Sequence, residues 1–312
     1  MILNTGGRTD TVNYFSEWLL RRFEEGYVYA RSPLFPKTVI RYRLTPDVVD
    51  CVVFCSKNYA PILPRLHEIS DRFRVFCHYT ITAYGRDIEP RVPSIQQSMD
   101  TLKRLADIVG PQRIAWRYDP VMVYGDYTME RHIDTFGRMA SELAPHVNFC
   151  LFSFVEMYRK LENNMPDLKP VSEADKQRLA AAFGEIAAEN GLKIQTCGTA
   201  ESYERYGIAR SGCMTSAILG EALGVDFKRI AHRGSRKGCG CMPSRDIGAY
   251  ETCPNGCRYC YANKDHDRAM ANYSRHNPLS PIIIGEIAPD DIVKDAVQES
   301  FLATGYPSLF TV

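Results

Sequence analysis

Short runs of apolar and β-branched residues alternate with longer helical patterns over the first two thirds of the chain. The runs predict six buried strands, at Ile2–Asn4, Cys51–Cys55, Arg74–Tyr79, Arg113–Arg117, Asn148–Phe152 and Lys193–Thr196. The patterns between them predict helices at Val12–Glu25, Ala60–Ile69, Ser94–Val109, Met129–Leu143 and Ser172–Glu189. Near-continuous apolar strands indicate a parallel sheet that is buried on both faces. We therefore predict an α/β fold, a partial or complete TIM-like (β/α) barrel of about six βα units.

The hydrophobic pattern changes near Phe227. From there to about Pro281 the chain is rich in Gly, Arg and Cys and shows no amphipathic period. A long irregular stretch inside a compact protein needs another source of order, and a metal centre supplies one. We predict two parts, a barrel over residues 1–226 and a Cys-rich iron-sulfur segment over residues 227–312 that packs on the barrel and covers its mouth.

Polar residues recur where the predicted strands end. Because the C-terminal ends of barrel strands meet at one mouth, these side chains are expected to converge. Lys57, Arg117, Asp119 and Tyr158 are predicted to have catalytic roles, and Asn58 is predicted to help bind a cofactor. The alternative is structural, because the same charged groups could brace each other as loop salt bridges.

Composition bounds the class of protein. A chain of 312 residues with 45% apolar residues can bury one large core, and a net charge of +1 makes no global case for nucleic acid or membrane. No run of about 18 apolar residues occurs, and the first ten residues lack a signal-peptide pattern, so a cytoplasmic protein without a membrane partner is expected. Eleven cysteines, an odd number, fit that compartment as metal ligands and reduced thiols better than as disulfides.

The most specific motif is a trio of cysteines in TCPNGCRYCYA, made of Cys253, Cys257 and Cys260. This CxxxCxxC spacing lets one loop hold three irons of a [4Fe-4S] cube and leaves the fourth iron open. Zinc remains an alternative, because His266, Cys239 and Cys241 could complete a zinc set. A closed cluster, completed by Cys239 or Cys241, is a further alternative.

Four more cysteines lie in the last third of the chain: Cys197, Cys213, Cys239 and Cys241. Four is the number that fully ligates a second, closed [4Fe-4S] cluster. Core packing is the alternative for Cys197, which ends a predicted buried strand. Core packing is also the predicted role of the cysteines in the apolar strands, Cys51, Cys55, Cys77 and Cys150.

The cysteine loop resembles the signature of the radical S-adenosylmethionine (SAM) superfamily, in which the open iron chelates SAM. Tyr259, just before the third cysteine, matches an aromatic position that is associated with the SAM adenine. The resemblance implies release of a 5'-deoxyadenosyl radical that acts on an unknown substrate, with a reductant such as flavodoxin or ferredoxin. The superfamily places this motif after the first barrel strand, whereas here it follows the sixth. The segment would therefore have to fold back over the mouth.

A second likeness concerns the substrate. The phrase CSKNYAPIL resembles the strand-to-helix turn of spore photoproduct lyase-like radical SAM proteins. This likeness implies DNA or another nucleotide polymer as a substrate. The chain shows neither a basic stripe nor an aromatic platform for such a polymer.

Several longer stretches resemble a single family over nearly the whole chain: RTDT, VDCVVFCSKN, FCHYTITAYGRDIEPRVP, WRYDPV, SFVEMYRK and CGCMPSRDIGAYETCPNGCRYCYA. Together they are similar to domain-of-unknown-function family 1848, which is functionally uncharacterised and implies a C-terminal cysteine cluster. Two positions depart from the expected pattern. Gly6-Gly7 precede Arg8 where a serine-arginine pair is expected, and Cys55 precedes Ser56 where tryptophan-threonine is expected.

The leading hypothesis from the sequence is an iron-sulfur protein, a radical SAM-like enzyme that cleaves SAM at an open cluster. The rival hypothesis is a non-catalytic iron-sulfur or zinc protein with a fully ligated structural or electron-transfer centre. A metal-independent barrel hydrolase ranks last, because the sequence has no nucleophile elbow and no zinc-protease helix motif.

Overall fold

A computed structural model describes residues 1–199, 201–230 and 239–303 of the chain. Its strands are β1 Ile2–Asn4, β2 Tyr27–Arg31, β3 Thr38–Arg43, β4 Cys51–Ser56, β5 Val75–Thr80, β6 Ile114–Val121, β7 Phe149–Phe154, β8 Ile194–Cys197, β9 Ala209–Ser211, β10 Ser244–Asp246 and β11 Ile292–Asp295. Its helices are α1 Thr11–Tyr14, α2 Ser16–Glu25, α3 His67–Ser70, α4 Ile95–Val109, α5 Met129–Leu143, α6 Arg159–Asn164, α7 Glu173–Glu189, α8 Ser216–Leu223 and α9 His266–Ser274.

The main sheet has eight strands in the order β10-β1-β4-β5-β6-β7-β8-β9, and every neighbouring pair is parallel. Helices flank it, so the α/β class is confirmed. β9 and β10 are the two edge strands of this sheet, and they do not pair with each other. The sheet therefore has eight strands rather than six, and no closed barrel is formed by the strands that the structure describes.

The six predicted strands correspond to β1 and to β4 through β8, within two residues at each end except that β6 continues to Val121, four residues beyond the predicted end. The predicted helix starts follow from capping. The Ser94 side chain accepts from Gln97 N and forms a full capping box, and the Ser172 side chain accepts from Asp175 N. One helix prediction is largely wrong: over Ala60–Ile69 the chain forms turns and a 3₁₀ segment, and α3 starts only at His67.

The prediction of an irregular stretch from Phe227 to Pro281 is also wrong in part. β10 lies in it and joins the main sheet beside β1. α9 lies in it too, capped by the Asp265 side chain, which accepts from Arg268 N. Both elements are short, so neither shows a clear period in the sequence. The sequence also missed a separate sheet in which β2 and β3 are antiparallel and β11 runs parallel to β3.

The sheet is buried on both faces, as a parallel sheet requires. On the outer face, residues such as Val52, Phe54 and Trp116 pack against the helices in the larger apolar cluster. On the inner face, a smaller cluster includes Phe76 and Leu151 together with residues of α8. None of the helices in the described part of the chain has the length and apolar character that crossing a bilayer requires.

Candidate metal centre

The loop that carries Cys253, Cys257 and Cys260 lies across the carboxyl end of the sheet. Arg258 N donates to Ile88 O at 3.0 Å, beyond the end of β5, and the Tyr261 hydroxyl donates to Gly7 O, beyond the end of β1. Within the loop, Cys260 N donates to Cys257 O at 3.0 Å and forms a turn. These contacts fold the cysteine loop back onto the strand ends that gather polar groups.

Gly256 allows the turn between the first two cysteines. Its φ of 71° lies in the left-handed region, and a Cβ there would come within 3.1 Å of the His266 ring. A larger residue would be strained by the backbone conformation, and the His266 ring would have to shift by a few tenths of an ångström. The imidazole of His266 therefore lies directly beside the loop.

Asp10 anchors the loop to the first strand end. Its buried carboxylate accepts from Ser56 Oγ at 2.6 Å, Lys57 N at 3.0 Å, Asn13 N at 3.1 Å and Asn255 Nδ2 at 3.1 Å. Burial raises the pKa of Asp10, while these donors oppose the rise. Because Asn255 belongs to the cysteine loop, this network fixes the loop against β4 and α1.

Lys57 lies beneath the cysteine loop and is paired with Glu89. Lys57 Nζ lies 2.8 Å from Glu89 Oε1, and the same carboxylate accepts from the Thr82 and Tyr259 hydroxyls. Burial by itself would lower the pKa of Lys57, but the charges of Glu89 and Cys257 outweigh it and the pKa is raised. Lys57 thus stays cationic under the loop and compensates Glu89.

Arg117 and Asp119 form a second ion pair on the inner side of β6. Arg117 Nη2 lies 2.6 Å from Asp119 Oδ2, and Asp119 also accepts from the Ser153 hydroxyl of β7. Arg117 Nη1 points at Cys55 Sγ, 3.7 Å away. The two predicted catalytic residues are therefore brought together, and each has a protein partner.

Side chains from the region of α6 hold the other side of the loop. The Tyr158 hydroxyl donates to Tyr259 O, Lys160 Nζ donates to Cys260 O at 2.7 Å, and Asn164 Nδ2 donates to Arg258 O at 3.2 Å. These contacts place Tyr158 against the loop backbone, where it has a bracing role.

The other predicted cofactor-binding residues also have protein partners. Asn58 Nδ2 donates to Asn13 Oδ1 at 2.9 Å, and its Oδ1 accepts from Ala60 N at 3.0 Å. Tyr259 is buried, with its hydroxyl on Glu89 and its ring 5.6 Å from Lys57 Nζ. Asn58 shapes the turn after β4, and Tyr259 joins the cysteine loop to the Lys57 pair.

The thiols of the loop influence one another electrostatically. Burial raises the pKa of Cys253 and of Cys257, and the neighbouring cysteines of the loop contribute to both shifts. Their sulfurs are nevertheless not all within 4.8 Å of one another, since among the described residues only one other cysteine group meets that distance. The three loop thiols therefore lie less close together than the members of that other group.

That other group consists of Cys197, Cys213 and Cys241, whose sulfurs all lie within 4.8 Å of one another. Three close cysteines of this kind could hold a metal ion. Cys239 lies in the described part of the chain but outside this group, so the structure assembles three of the four cysteines that the sequence suggested for a second cluster.

A surface cavity of about 320 Å³ opens beside the cysteine loop. It is lined by Lys160, Asn164, Gly256, Cys257, Arg258, Asn263, Lys264 and His266. Three of these side chains are basic, namely Lys160, Arg258 and Lys264, so the cavity suits an anionic group. It places such a group next to Cys257.

Comparison with known proteins agrees with the likeness seen in the sequence. The family described as "Domain of unknown function (DUF1848)" matches residues 2–262. The chain belongs to this family. No curated protein and no solved structure matches it. The DUF1848 match ends just after Cys260, so it includes every cysteine of both groups.

The two departures from the expected family pattern lie against each other in this DUF1848 chain. A Cβ on Gly6 would lie 2.0 Å from Cys55 O and 2.7 Å from Cys55 Cβ, so only glycine fits there. Gly7 is also confined, because a Cβ would lie 2.4 Å from the Asp246 carboxylate that accepts from its own N–H, so this side chain would have to shift. The two changes therefore form one packing unit at the strand ends.

Three contributors to the site were missed as site residues: Asp10, Glu89 and Asn255. Asp10 and Glu89 belong to loops after strands, where an acidic residue reads as an ordinary cap or turn residue. Asn255 lies inside the cysteine motif itself, between Cys253 and Cys257, where an asparagine before glycine is typical of an ordinary turn. A carboxylate that receives several donors from distant segments can be recognised only in the folded chain.

Proposed function

We propose that Cys253, Cys257 and Cys260 bind a [4Fe-4S] cluster with one iron free of cysteine, as part of a radical SAM-like enzyme that acts on an unknown substrate. The observation that carries the proposal is the position of the loop, across the carboxyl end of a parallel sheet and beside a basic cavity. Active sites of α/β proteins gather at that end of the strands.

The residues around the loop suit a cluster. Lys57 and Lys160 lie close enough for the charges of Cys257 and Cys260 to act on them, so both would help to neutralise bound thiolates. The pKa of Lys57 is raised, whereas burial lowers the pKa of Lys160 and Cys260 opposes that lowering. When bound, a reduced cluster with an open iron supplies the electron that cleaves the sulfonium of SAM. The electron would come from a small reductant such as flavodoxin or ferredoxin.

The cavity gives the ligand a place to bind. The amino-acid end of SAM carries a carboxylate, and Arg258, Lys264 and Lys160 line the space beside Cys257. Asn164 and Asn263 add amide groups that can orient a polar ligand. The chain would thus hold the amino-acid end of the ligand beside Cys257, where the open iron of the cluster would lie.

A non-catalytic iron-sulfur or zinc protein is the second candidate, and two observations favour it. The predicted catalytic groups are paired with one another, Lys57 with Glu89 and Arg117 with Asp119. The His266 ring lies beside Gly256, so an imidazole stands next to the thiols and suits zinc.

The deciding experiment is electron paramagnetic resonance of anaerobically purified, dithionite-reduced protein with and without SAM. A [4Fe-4S]⁺ signal that shifts on adding SAM is expected, and Cys257→Ala should abolish both the shift and SAM cleavage. Cys51→Ala is the matched control, because Cys51 lies at the start of β4, at the other end of the strands. An unshifted signal, or a colourless protein with stoichiometric zinc, would refute an open cluster.

A further inference from the structure

Two segments of identical sequence meet at the open side of the main sheet. Gly212-Cys213-Met214 follows β9, and Gly240-Cys241-Met242 precedes β10. Met242 N donates to Met214 O at 2.9 Å, and a Cβ on Gly212 would lie 2.9 Å from the Gly240 carbonyl carbon. Because only glycine permits this approach, the matched segments bring their cysteines together.

The sulfurs of these segments meet a third thiol. Cys213 Sγ lies 3.4 Å from Cys241 Sγ, and Cys213 N donates to Cys241 Sγ at 3.2 Å. Cys197 ends β8, pairs in register with Ser211 of β9, and completes the triangle within 4.8 Å. Three thiols from three separate parts of the chain thus converge on one point.

The size of the triangle distinguishes between kinds of centre. A tetrahedral ion with metal–sulfur bonds of about 2.3 Å separates its sulfurs by about 3.8 Å. A disulfide would need about 2.05 Å, and a [4Fe-4S] cube binds each sulfur to a different iron and so sets them farther apart. The 3.4 Å between Cys213 Sγ and Cys241 Sγ, and the 4.8 Å within which all three sulfurs lie, agree with sulfurs that share one ion.

The surroundings of the triangle are mostly apolar. Cys197 and Cys241 are 8% and 3% exposed, Cys213 is half-buried, and the thiols pack with Met214, Met242 and residues of α8 in the inner-face cluster. Arg117 and His78 lie close enough to interact electrostatically with Cys213 and Cys197, respectively. A largely buried group of thiols of this kind is typical of a structural metal site. It contrasts with the basic cavity beside Cys257.

We propose that Cys197, Cys213 and Cys241 hold a single divalent cation of the zinc class, which ties the β8–β9 edge of the sheet to the β10 edge. Binding displaces the three thiol protons and forms three metal–thiolate bonds. Cys239, two residues before Cys241, is the nearest remaining thiol along the chain for a fourth bond. The ion links two edges that the described strands do not pair, and the proposal is independent of the cysteine loop and its cluster.

The test removes the loop centre first. In a full-length background with Cys253, Cys257 and Cys260 all changed to Ala, Co²⁺ serves as the probe. We expect one equivalent of Co²⁺ with a thiolate charge-transfer band and tetrahedral ligand-field bands. Adding Cys213→Ser should weaken binding by more than the roughly 10- to 100-fold that an outer-shell change costs. Adding Cys51→Ala instead should leave affinity unchanged.

A second measurement avoids the risk that a variant fails to fold. In the unmodified protein, alkylation followed by peptide mass mapping should show Cys197, Cys213 and Cys241 protected together by Zn²⁺ and reactive together after chelation. Protection that is the same with and without Zn²⁺ would overturn the proposal. So would iron with acid-labile sulfide in the background variant, which indicates a cluster, or a Cys213–Cys241 disulfide.

Discussion

Two groups of three cysteines lie on one sheet and are built in opposite ways. Cys253, Cys257 and Cys260 come from one loop over the carboxyl strand ends, and their sulfurs are not all within 4.8 Å. The second group, Cys197, Cys213 and Cys241, comes from three separate segments, and its sulfurs are within that distance. The number of cysteines therefore does not give the number of clusters. The second group is the compact one, and its three cysteines could hold a single metal ion.

The surroundings of the two groups differ as well. The loop group has charged neighbours, Lys57, Glu89 and Lys160, and a cavity beside it. The inner group, made of Cys197, Cys213 and Cys241, lies in a mostly apolar cluster with two methionines. A centre that must exchange a ligand needs the first setting, and a centre that only joins segments needs the second. Under the two proposals, the loop would hold the reactive centre and the inner group a structural one.

The largest effect is expected at the Lys57–Glu89 pair beneath the loop. Lys57→Met leaves Glu89, which is 2% exposed, without its cation, and breaking a buried pair in this way costs about 3 to 5 kcal/mol. Urea unfolding should show that loss in the free energy of unfolding. Iron should also be retained less well at the loop, while Zn²⁺ still protects the inner thiols from alkylation.

The same variant separates two roles for Lys57. If Lys57 acted on substrate rather than as a brace, Lys57→Met would stop SAM cleavage while stability and iron content stayed at the wild-type level. The double variant Lys57→Met with Glu89→Leu is the control, because removing both charges avoids the unpaired carboxylate. It should recover part of the lost stability.

The comparison also shows what the sequence could predict. The strands β4 to β8 are apolar runs between turn residues, so their pattern alone located them. β9 and β10 have three residues each, among them Arg210 and Arg245, and no apolar run marks them. Their place in the sheet depends on parallel pairing with distant strands, which a local pattern cannot express.

The candidate sites divide along the same line. The spacing of Cys253, Cys257 and Cys260 is local, so the sequence alone could predict them as a group of ligands, and that role stays a prediction. The grouping of Cys197, Cys213 and Cys241 was suggested by number only, and the fold left Cys239 outside the triangle. The pairing of Lys57 with Glu89 was missed because their loops meet only after β4 and β5 align in the sheet.

An intermediate effect on the free energy of unfolding is expected when His132 becomes protonated at acid pH. His132 belongs to neither cysteine group, so it shows how much of the acid sensitivity comes from the fold rather than from metal loss. This histidine of α5 contacts the Tyr118 hydroxyl and Met122 O, each at 2.8 Å. Burial lowers its pKa from 6.5 to about 4, so the unfolded chain binds the proton first as the pH falls. Stability is therefore lost between those values, by about 3 kcal/mol in total.

The variant His132→Gln removes the imidazole that binds this proton. The free energy of unfolding of the variant should therefore depend less on pH between 6.5 and about 4. Urea unfolding across that range measures the slope. Acid also releases metal by protonating thiolates, and this release should persist at both cysteine groups in the variant. An unchanged slope would show that another group sets the acid limit of the fold.

The smallest effect is expected at the surface pair of Lys193 and Glu221, which lies close to the inner group in the chain. Lys193 directly precedes β8 and lies 3.1 Å from Glu221 of α8, with side chains 67% and 69% exposed. Exposed pairs contribute little, so Lys193→Ala should change the free energy of unfolding by less than about 1 kcal/mol. Co²⁺ affinity in the background without the loop cysteines should not change. If Lys193→Ala released Co²⁺ as readily as Cys213→Ser does, metal loss would reflect a fragile sheet edge rather than lost thiolate bonds. The contrast between the two cysteine groups would then no longer hold.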